Sequence, residues 1–254
     1  NIFIVDSAGI LRKDRDDIVS KKPLKGEEEK WQFAVETNPE NLSGDIKEAL
    51  RGADVAVSYS MAKENSIDPE WVKGMASRAI FIAGENPTPR IWPEDLYKAG
   101  VEIVCTGRSD YPNQCNNSLI FPAVFRGALD VRAKKITVEM TVEAAMAVAE
   151  YQEKKGLCPK RILPSMNDTG VFIEEAVRVG MKAIEQGVAQ KPMSEKELKK
   201  MEFDPLGQDD TTGFLRRLIQ GLFPNGGQYI ENAGQKSPEN VTIERNPVIF
   251  MRQR

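Results

Sequence analysis

Residues 54–105, "DVAVSYSMAKENSIDPEWVKGMASRAIFIAGENPTPRIWPEDLYKAGVEIVC", decide the fold. Three short apolar runs, "DVAVSYS", "AIFIAG" and "VEIVC", are separated by stretches that carry helix signals. "DPEWVKGMAS" has Asp68 as a cap and Pro69 at the first helical position, and "PEDLYKAG" opens on proline and closes on glycine. Continuous apolar runs alternating with short helices predict a parallel sheet covered on both faces. Upstream, "IFIV" (Ile2 to Val5) reads as a further buried strand, followed by a charged loop-and-helix stretch to about Asn38. "NLSGDIKEALRGA" then supplies a short helix, with Ser43 as N-cap, Ile46, Ala49 and Leu50 as the apolar stripe and Gly52 as the stop. The first half is therefore α/β.

Downstream the period changes. "NNSLIFPAVFRGALDVRA" and "TVEMTVEAAMAVAEYQEKKG" read as helices, the second with Met140, Ala144, Ala147 and Val148 at helical spacing. "TGVFIEEAVRVGMKAIEQGVA" is a third, with Phe172, Ala176, Val179 and Ile184 toward one face. From Lys191 the chain is polar and charged, with helices expected at "SEKELKKMEF" and "TTGFLRRLIQGLF" and a strand within "NVTIERNPVIFM". The expected division is a nucleotide-binding domain over 1–135, helices packing on it over 136–190, and an extension without an assigned role over 191–254.

Composition narrows the function. With 41% apolar residues in 254, the chain can bury a sizeable core, as a soluble globular protein does. No apolar run approaches the roughly 18 residues of a membrane span, and no leader pattern opens the chain, so the expectation is a cytoplasmic protein without a membrane partner. A net charge of -3 argues against nucleic acid as a partner. Cys105, Cys115 and Cys158 form no C-x-x-C pair and read as reduced thiols. Histidine is absent, which removes the commonest general base and the commonest metal ligand. Chemistry would fall to Lys, Tyr, Asp or Glu.

The candidate site residues are those that end the strands. In an open α/β sheet, ligands bind in the crevice beyond the carboxyl ends of the strands. Asp6 ends the first strand, where a dinucleotide-binding fold places an acid that accepts hydrogen bonds from the adenosine ribose; a helix cap or turn residue is the plainer reading. The glycine-rich fingerprint lies about 20 residues before such an acid, so it would precede Asn1. Asn86, in "GENPTPRIWP", follows "AIFIAG", the third strand counted from "IFIV", and could touch a cofactor or substrate, with Pro87 and Pro89 stiffening the turn. Ser58 and Ser60 occupy the analogous place one strand earlier. "TGRSDYPNQCNN", Thr106 to Asn117, is an almost wholly polar loop between apolar flanks; it leads into a helix expected to begin near Asn116, whose free N–H groups suit an anion. Asn113, Gln114, Asn116 and Asn117 offer amides that both donate and accept, which suits a carboxamide or a carboxylate.

"VDSAGIL", "NLSGDIKEALRGADVAVSYS", "ENPTPRIWPEDLYKAG" and "VCTGRSDYPNQCNNSLIFPAVFRGALDVRA" together resemble the cofactor-binding domain of bacterial and archaeal malic enzymes. The resemblance covers roughly Ile2 to Ala189 and leaves the extension unmatched. It implies a Rossmann-like doubly wound parallel sheet, entered at its second strand and followed by C-terminal helices. It implies oxidative decarboxylation of malate to pyruvate and CO2, with NAD or NADP as hydride acceptor, Mg2+ or Mn2+ as Lewis acid, and a homodimer. The residues it carries over are Asp6 (adenosine ribose), Asn86 (nicotinamide ribose side), and Asn116 and Asn117 (malate and nicotinamide side); Ser58 is kept as a cofactor contact from its strand end. Arg108 and Asp110 are expected to shape the loop. The family's general base, general acid and metal ligands have no counterpart here, so their place is expected upstream of Asn1. Gly84-Glu85 and Cys115 depart from the small or apolar residues of the family pattern.

Entry at the second strand predicts a gap in the sheet, because the first strand normally lies between the second and fourth. Unpaired ladder groups on both sides of a gap are costly. The expectation is that an upstream portion of a longer polypeptide fills it, leaving these 254 residues inactive alone; a sheet closed by residues 1–254 themselves would overturn that. The rival readings are another NAD-dependent dehydrogenase of the same fold and a non-catalytic nucleotide-binding or oligomerisation fragment. NAD against NADP stays open, with Asp6 favouring NAD and Arg12 and Lys13 near enough in sequence to offset it.

Overall fold

In the computed structural model, residues 1–20, 28–60, 65–202 and 248–251 are described. They divide into two compact units, the first made of residues 1–116 with 248–251, the second of residues 117–202. The expected helix within "TTGFLRRLIQGLF" and most of the expected strand "NVTIERNPVIFM" lie outside the described residues.

The first unit is built on a six-stranded sheet. Its strands are β1 (Ile2–Asp6), β2 (Gly9–Ile10), β3 (Val55–Ser58), β4 (Ile80–Ala83), β5 (Ile103–Thr106) and β6 (Val248–Met251), in the order β2-β1-β6-β3-β4-β5. β3, β4 and β5 are parallel neighbours, as the alternating runs predicted. β1 was also expected, but β2 was not. Asp6, Ser7, Ala8 and Gly9 turn the chain back, with Gly9 at φ 106, a backbone setting that glycine adopts without strain. A Cβ on Gly9 would also sit 2.5 Å from the Gly44 carbonyl oxygen.

The expected gap is filled from within the chain. β6 lies between β1 and β3 and pairs antiparallel with both, in the registers Phe3↔Phe250 and Ala56↔Phe250. This corrects the expectation that a segment preceding Asn1 occupies that slot. The physical reason is that a strand's N–H and C=O groups can satisfy a ladder running in either direction. Because β6 is antiparallel to both neighbours, β1, β3, β4 and β5 all run the same way and their carboxyl ends share one edge.

Three short helices follow the strands as the sequence suggested: α3 (Ile46–Leu50), α4 (Pro69–Val72) and α5 (Pro93–Lys98). Asp68 caps α4 by accepting from the Glu70 N–H. The cap of α3, however, is Asp45 rather than Ser43: its side chain accepts from the Lys47 and Glu48 N–H groups, while Gly44 at φ 133 turns the chain into the helix. Phe3, Val5, Ala49, Leu50, Ala56, Ile67, Val72, Phe81, Leu96 and Val104 form the core of this face. On the other face, α1 (Asp16–Val19) and α2 (Glu28–Glu36) bury Ile4, Leu11, Ile18 and Ala34 beneath Trp31. Cover on both faces is thus reached at β1. Val55, Val57, Ile80 and Ile82 stay half-buried, giving β3 and β4 an alternating burial pattern instead of the fully buried one expected.

The second unit is helical: α6 (Phe121–Asp130), α7 (Val138–Lys155), α8 (Thr169–Glu185) and α9 (Glu195–Glu202). Met140, Ala144, Ala147 and Val148 of α7 and Phe172, Ala176 and Val179 of α8 are buried as their spacing predicted; Ile184 is only partly buried, and Ala183 takes the inward place. α6 and α8 cross at Gly127, where a Cβ would lie 2.2 Å from the Ala176 carbonyl oxygen. Leu198 of α9 is fully buried beside Gly180. α6 shares its core with α7 and α8, and the compact helical unit accordingly begins at residue 117. Among the described residues no helix is long and apolar enough to cross a membrane.

Candidate functional site

The shared carboxyl edge of β1, β3, β4 and β5 carries the residues of interest. Asp6 ends β1, Ser58 ends β3, Asn86 lies three residues beyond β4, and Asn116 closes the loop that follows β5. Four of the candidates named from sequence, Asp6, Ser58, Asn86 and Asn116, therefore end or follow strands whose carboxyl ends share one edge of the sheet. Asn117 opens a 3₁₀ turn, Asn117–Leu119, in the helical unit.

The loop after β5 is built on its own backbone. The Thr106 N–H donates to the Asn113 carbonyl, and the Cys115 N–H donates to the Thr106 carbonyl at 2.6 Å, so the two ends of the loop close in a parallel bridge between Thr106 and Gln114. Asn113, buried and at φ 53, donates its side-chain amide to the Val104 carbonyl. Its role is to hold the turn. Asn116 donates to the Gly107 carbonyl at 2.7 Å. Arg108 forks onto Asp110 with two bonds of 2.8 Å and donates to the Pro87 carbonyl at 3.0 Å, tying this loop to the one after β4. It also stacks over Trp92, and Tyr111 donates to Glu94. Arg108 and Asp110 thus shape the loops, as expected.

The expected helix start near Asn116 is displaced. α6 begins at Phe121, with Ile120 at the N-cap and no side-chain cap. Pro122 explains this: proline is accommodated in the first turn of a helix and not beyond it, so the helix cannot begin four or five residues earlier.

Beyond β3 and β4 lies a buried carboxyl that sequence reading did not assign. Glu85 is 4% exposed; the Ser58 hydroxyl donates to its Oε1, and its Oε2 has no hydrogen-bond partner. Burial pushes its pKa up, against the opposing hydrogen bond from Ser58. The preceding Gly84 makes room for the Tyr59 ring, which a Cβ there would meet at 2.0 Å. Glu85 had been noted only as a departure from a family pattern. Nothing in a sequence marks a charged loop residue as buried.

Asp6 is far from free. Its carboxylate accepts from Arg15 at 2.7 and 2.9 Å, from Lys30 at 2.8 Å and from the Ala8 N–H at 2.8 Å. Burial alone would raise its pKa, but the bonds from Arg15 and Lys30 outweigh it and hold the carboxyl at about 2. The neighbouring cations are therefore Arg15 and Lys30 rather than Arg12 and Lys13 as expected; Arg12 pairs with Asp14. Arg15 also bonds Asp17, so the group is two anions and two cations.

Comparison with known proteins identifies the family. The profile of the malic enzyme NAD-binding domain matches residues 1–187. The bifunctional malic/malolactic enzyme of Bacillus subtilis is 38% identical over 189 residues, covering 74% of this chain and 44% of that protein. The NAD-dependent malic enzyme of Geobacillus stearothermophilus is 40% identical over 75% of this chain and 38% of its own length. Among solved structures, the Entamoeba histolytica malic enzyme superposes with a TM-score of 0.72 at 33% identity, over 90% of this chain and 45% of that one. The malic enzyme of Pyrococcus horikoshii does so at 0.67 and 37% identity, over 88% and 47%. The chain thus spans less than half the length of these relatives. With the profile covering most of its residues, this chain belongs to the malic enzyme family and carries that family's NAD-binding domain.

Proposed function

We propose that this chain is the nucleotide-binding part of an enzyme that oxidises malate to pyruvate and CO2 with NAD or NADP. The observation that carries the reading is the alignment of Asp6, Ser58, Asn86 and Asn116 along one carboxyl edge, the place where such sheets hold a dinucleotide. Glycine at the exits of β4 and β5 keeps this edge low; a Cβ on Gly107 would already stand 3.2 Å from the Gly84 carbonyl.

In this reading the bound nicotinamide accepts a hydride from C2 of malate. Asn86 holds the nicotinamide ribose side, Asn116 and Asn117 orient the carboxamide and a malate carboxylate, and Ser58 backs the cofactor while keeping Glu85 turned inward. Asp6 faces the adenosine ribose through a carboxylate already shared by Arg15 and Lys30, so those two cations soften its rejection of a 2′-phosphate. Among the described residues no three Cys, Asp or Glu side chains gather to hold a metal. Ligands for Mg2+ or Mn2+, and the general base and acid, would come from another part of a longer polypeptide, in keeping with relatives of which the match covers 44% and 38%. The enzyme would be a cytoplasmic homodimer, and the 254 residues alone would bind nucleotide without turnover.

Titration calorimetry with NAD and with NADP tests the site. Asn86→Ala and Asn116→Ala each weaken binding about tenfold, the effect of one lost hydrogen bond of roughly 1.4 kcal/mol. Failure of both nucleotides to bind the folded chain overturns the reading. A second reading, a self-standing nucleotide-binding module without catalysis, is favoured by β6 closing the sheet from the chain's own residues. The intact mass of the natural protein separates the two. A mass well above 28.3 kDa with Mn2+- and malate-dependent reduction of NAD(P) supports the enzyme, and 28.3 kDa without turnover supports the module.

A further inference from the structure

α7 is apolar on two faces. Met140, Ala144, Ala147 and Val148 turn inward and are buried. A helix repeats about every 3.6 residues, so Val138, Val142, Ala145 and Ala149 fall on a second line, on the side away from these. All four are exposed, Val138 to 74% and Val142 to 54%, and Met146 beside them is exposed to 47%. Thr141 is exposed on the other flank, so none of the six residues of this stripe is charged. The charges of the helix are engaged elsewhere. Glu143 pairs with Lys182 at 3.2 Å and Glu150 with Arg178 at 2.5 Å, Gln186 donates to Glu139, and Lys154 pairs with Glu174. Single exposed apolar side chains are ordinary on a surface, whereas a line of them along about three turns of one helix marks a face that another surface covers.

The spacing of the line decides what fits it. Its steps are four, three and four residues, the spacing of a coiled-coil seam, and they read the same in both directions. When a second α7 lies antiparallel on the first, with a two-fold axis between positions 142 and 145, Val138 of one copy faces Ala149 of the other and Val142 faces Ala145. Each valine meets an alanine, so the large side chains fill the places that the small ones leave. The charges beyond the two ends agree with this direction. Lys134 and Lys135 precede the helix and Glu153 lies in its last turn, all three exposed. Antiparallel pairing sets the basic end of one copy against the acidic residue of the other, and parallel pairing sets like against like.

We propose that the 138–149 face of α7 is the surface on which a second copy of this chain docks, antiparallel and about a two-fold axis. One helix pair buries less area than a standard interface, so the association is weak and depends on concentration. The proposal names a surface for the homodimer proposed above and does not depend on nucleotide binding.

Sedimentation velocity on the natural protein and on the 254-residue chain, up to about 100 μM, tests it. For the 254-residue chain the expected result is a mass that moves from 28.3 kDa toward twice that value as concentration rises. Val142→Glu puts a charge on the seam and should hold the protein at the mass of one polypeptide, with its far-ultraviolet signal unchanged. Glu153→Lys weakens association several-fold, Lys134→Glu with Lys135→Glu does likewise, and the three reversals together restore it. The two ends lie more than about 20 Å apart along one helix, so such a restoration comes from contact between copies. The charge reversals decide the matter should Val142→Glu not fold. The mass of one polypeptide at every concentration overturns the proposal, whether Ala145→Cys is then open to a maleimide or shielded by another segment of the polypeptide. A dimer that survives Val142→Glu also overturns it, because that dimer is made through a different surface; the homodimer and the nucleotide reading would then still stand.

Discussion

Each of the two units buries a glutamate, and they treat it in opposite ways. Glu85, in the sheet unit, leaves the end of a strand and is met by the Ser58 hydroxyl, with one oxygen left over. Glu175, in the middle of α8, is fully buried with both oxygens unpartnered, and burial alone pushes its pKa up to about 9. At neutral pH Glu175 is therefore a protonated acid set among apolar helix faces. The difference teaches that a buried carboxyl at a strand end can recruit a partner from the neighbouring strand end, whereas one in a helix faces side chains whose backbone groups are already paired. The units differ in assembly as well: the helical one is contiguous in sequence, and the sheet recruits residues 248–251.

Removing β6 is the strongest way to break this comparison. A chain ending at residue 247 leaves the facing edges of β1 and β3 unpaired, with several ladder bonds lost at about 1 kcal/mol each. The sheet unit should lose about 5 kcal/mol while the helical unit keeps its far-ultraviolet signal. Equal loss in both would show that the units do not melt apart. Glu175→Met comes next and should stabilise. Because the folded pKa is raised, the wild type has its full stability below the ordinary glutamate range near pH 4.5 and loses it as pH rises toward 9. At pH 7 the shift amounts to about 3 kcal/mol against the wild type. The variant's advantage should vanish near pH 4, and denaturant melts at the two pH values check this.

A smaller effect is expected from Ser58→Ala, which makes Glu85 resemble Glu175 by orphaning both its oxygens. The cost is about 2 kcal/mol, and adding Glu85→Gln should recover part of it; an additive pair would show that the two side chains do not couple. Smallest is the acid response of Asp6. Its pKa is depressed, so the stability from its bonds to Arg15 and Lys30 is present above about pH 4 and fades as pH falls through about 2. Asp6→Asn should flatten the acid limb of the melting profile in that window and leave the neutral region's slope unchanged.

These cases also mark what the sequence could disclose. Strands β3, β4 and β5 were legible because each is an apolar run bounded by turn residues, and Asp68-Pro69 announces a helix start by local chemistry. The strand ends, and with them Asp6, Ser58, Asn86 and Asn116, were legible for the same reason. β2 was not, since a two-residue strand carries no periodicity, and the placing of β6 depends on pairing across most of the chain. Asp45 displaced Ser43 as a cap because Gly44 bends the backbone first. The burial of Glu85 and Glu175 and the choice of Arg15 and Lys30 as partners of Asp6 are tertiary choices, which no local pattern records.

The clamp formed by Arg108 bears on the rate at which a ligand could enter. This one guanidinium joins Asp110, the Pro87 carbonyl and the Trp92 ring, so the loops after β4 and β5 are tied to each other without a ligand. An arriving molecule then has no loop closure to wait for. Its observed binding rate should rise in proportion to concentration without reaching a plateau, and loosening the clamp would introduce one.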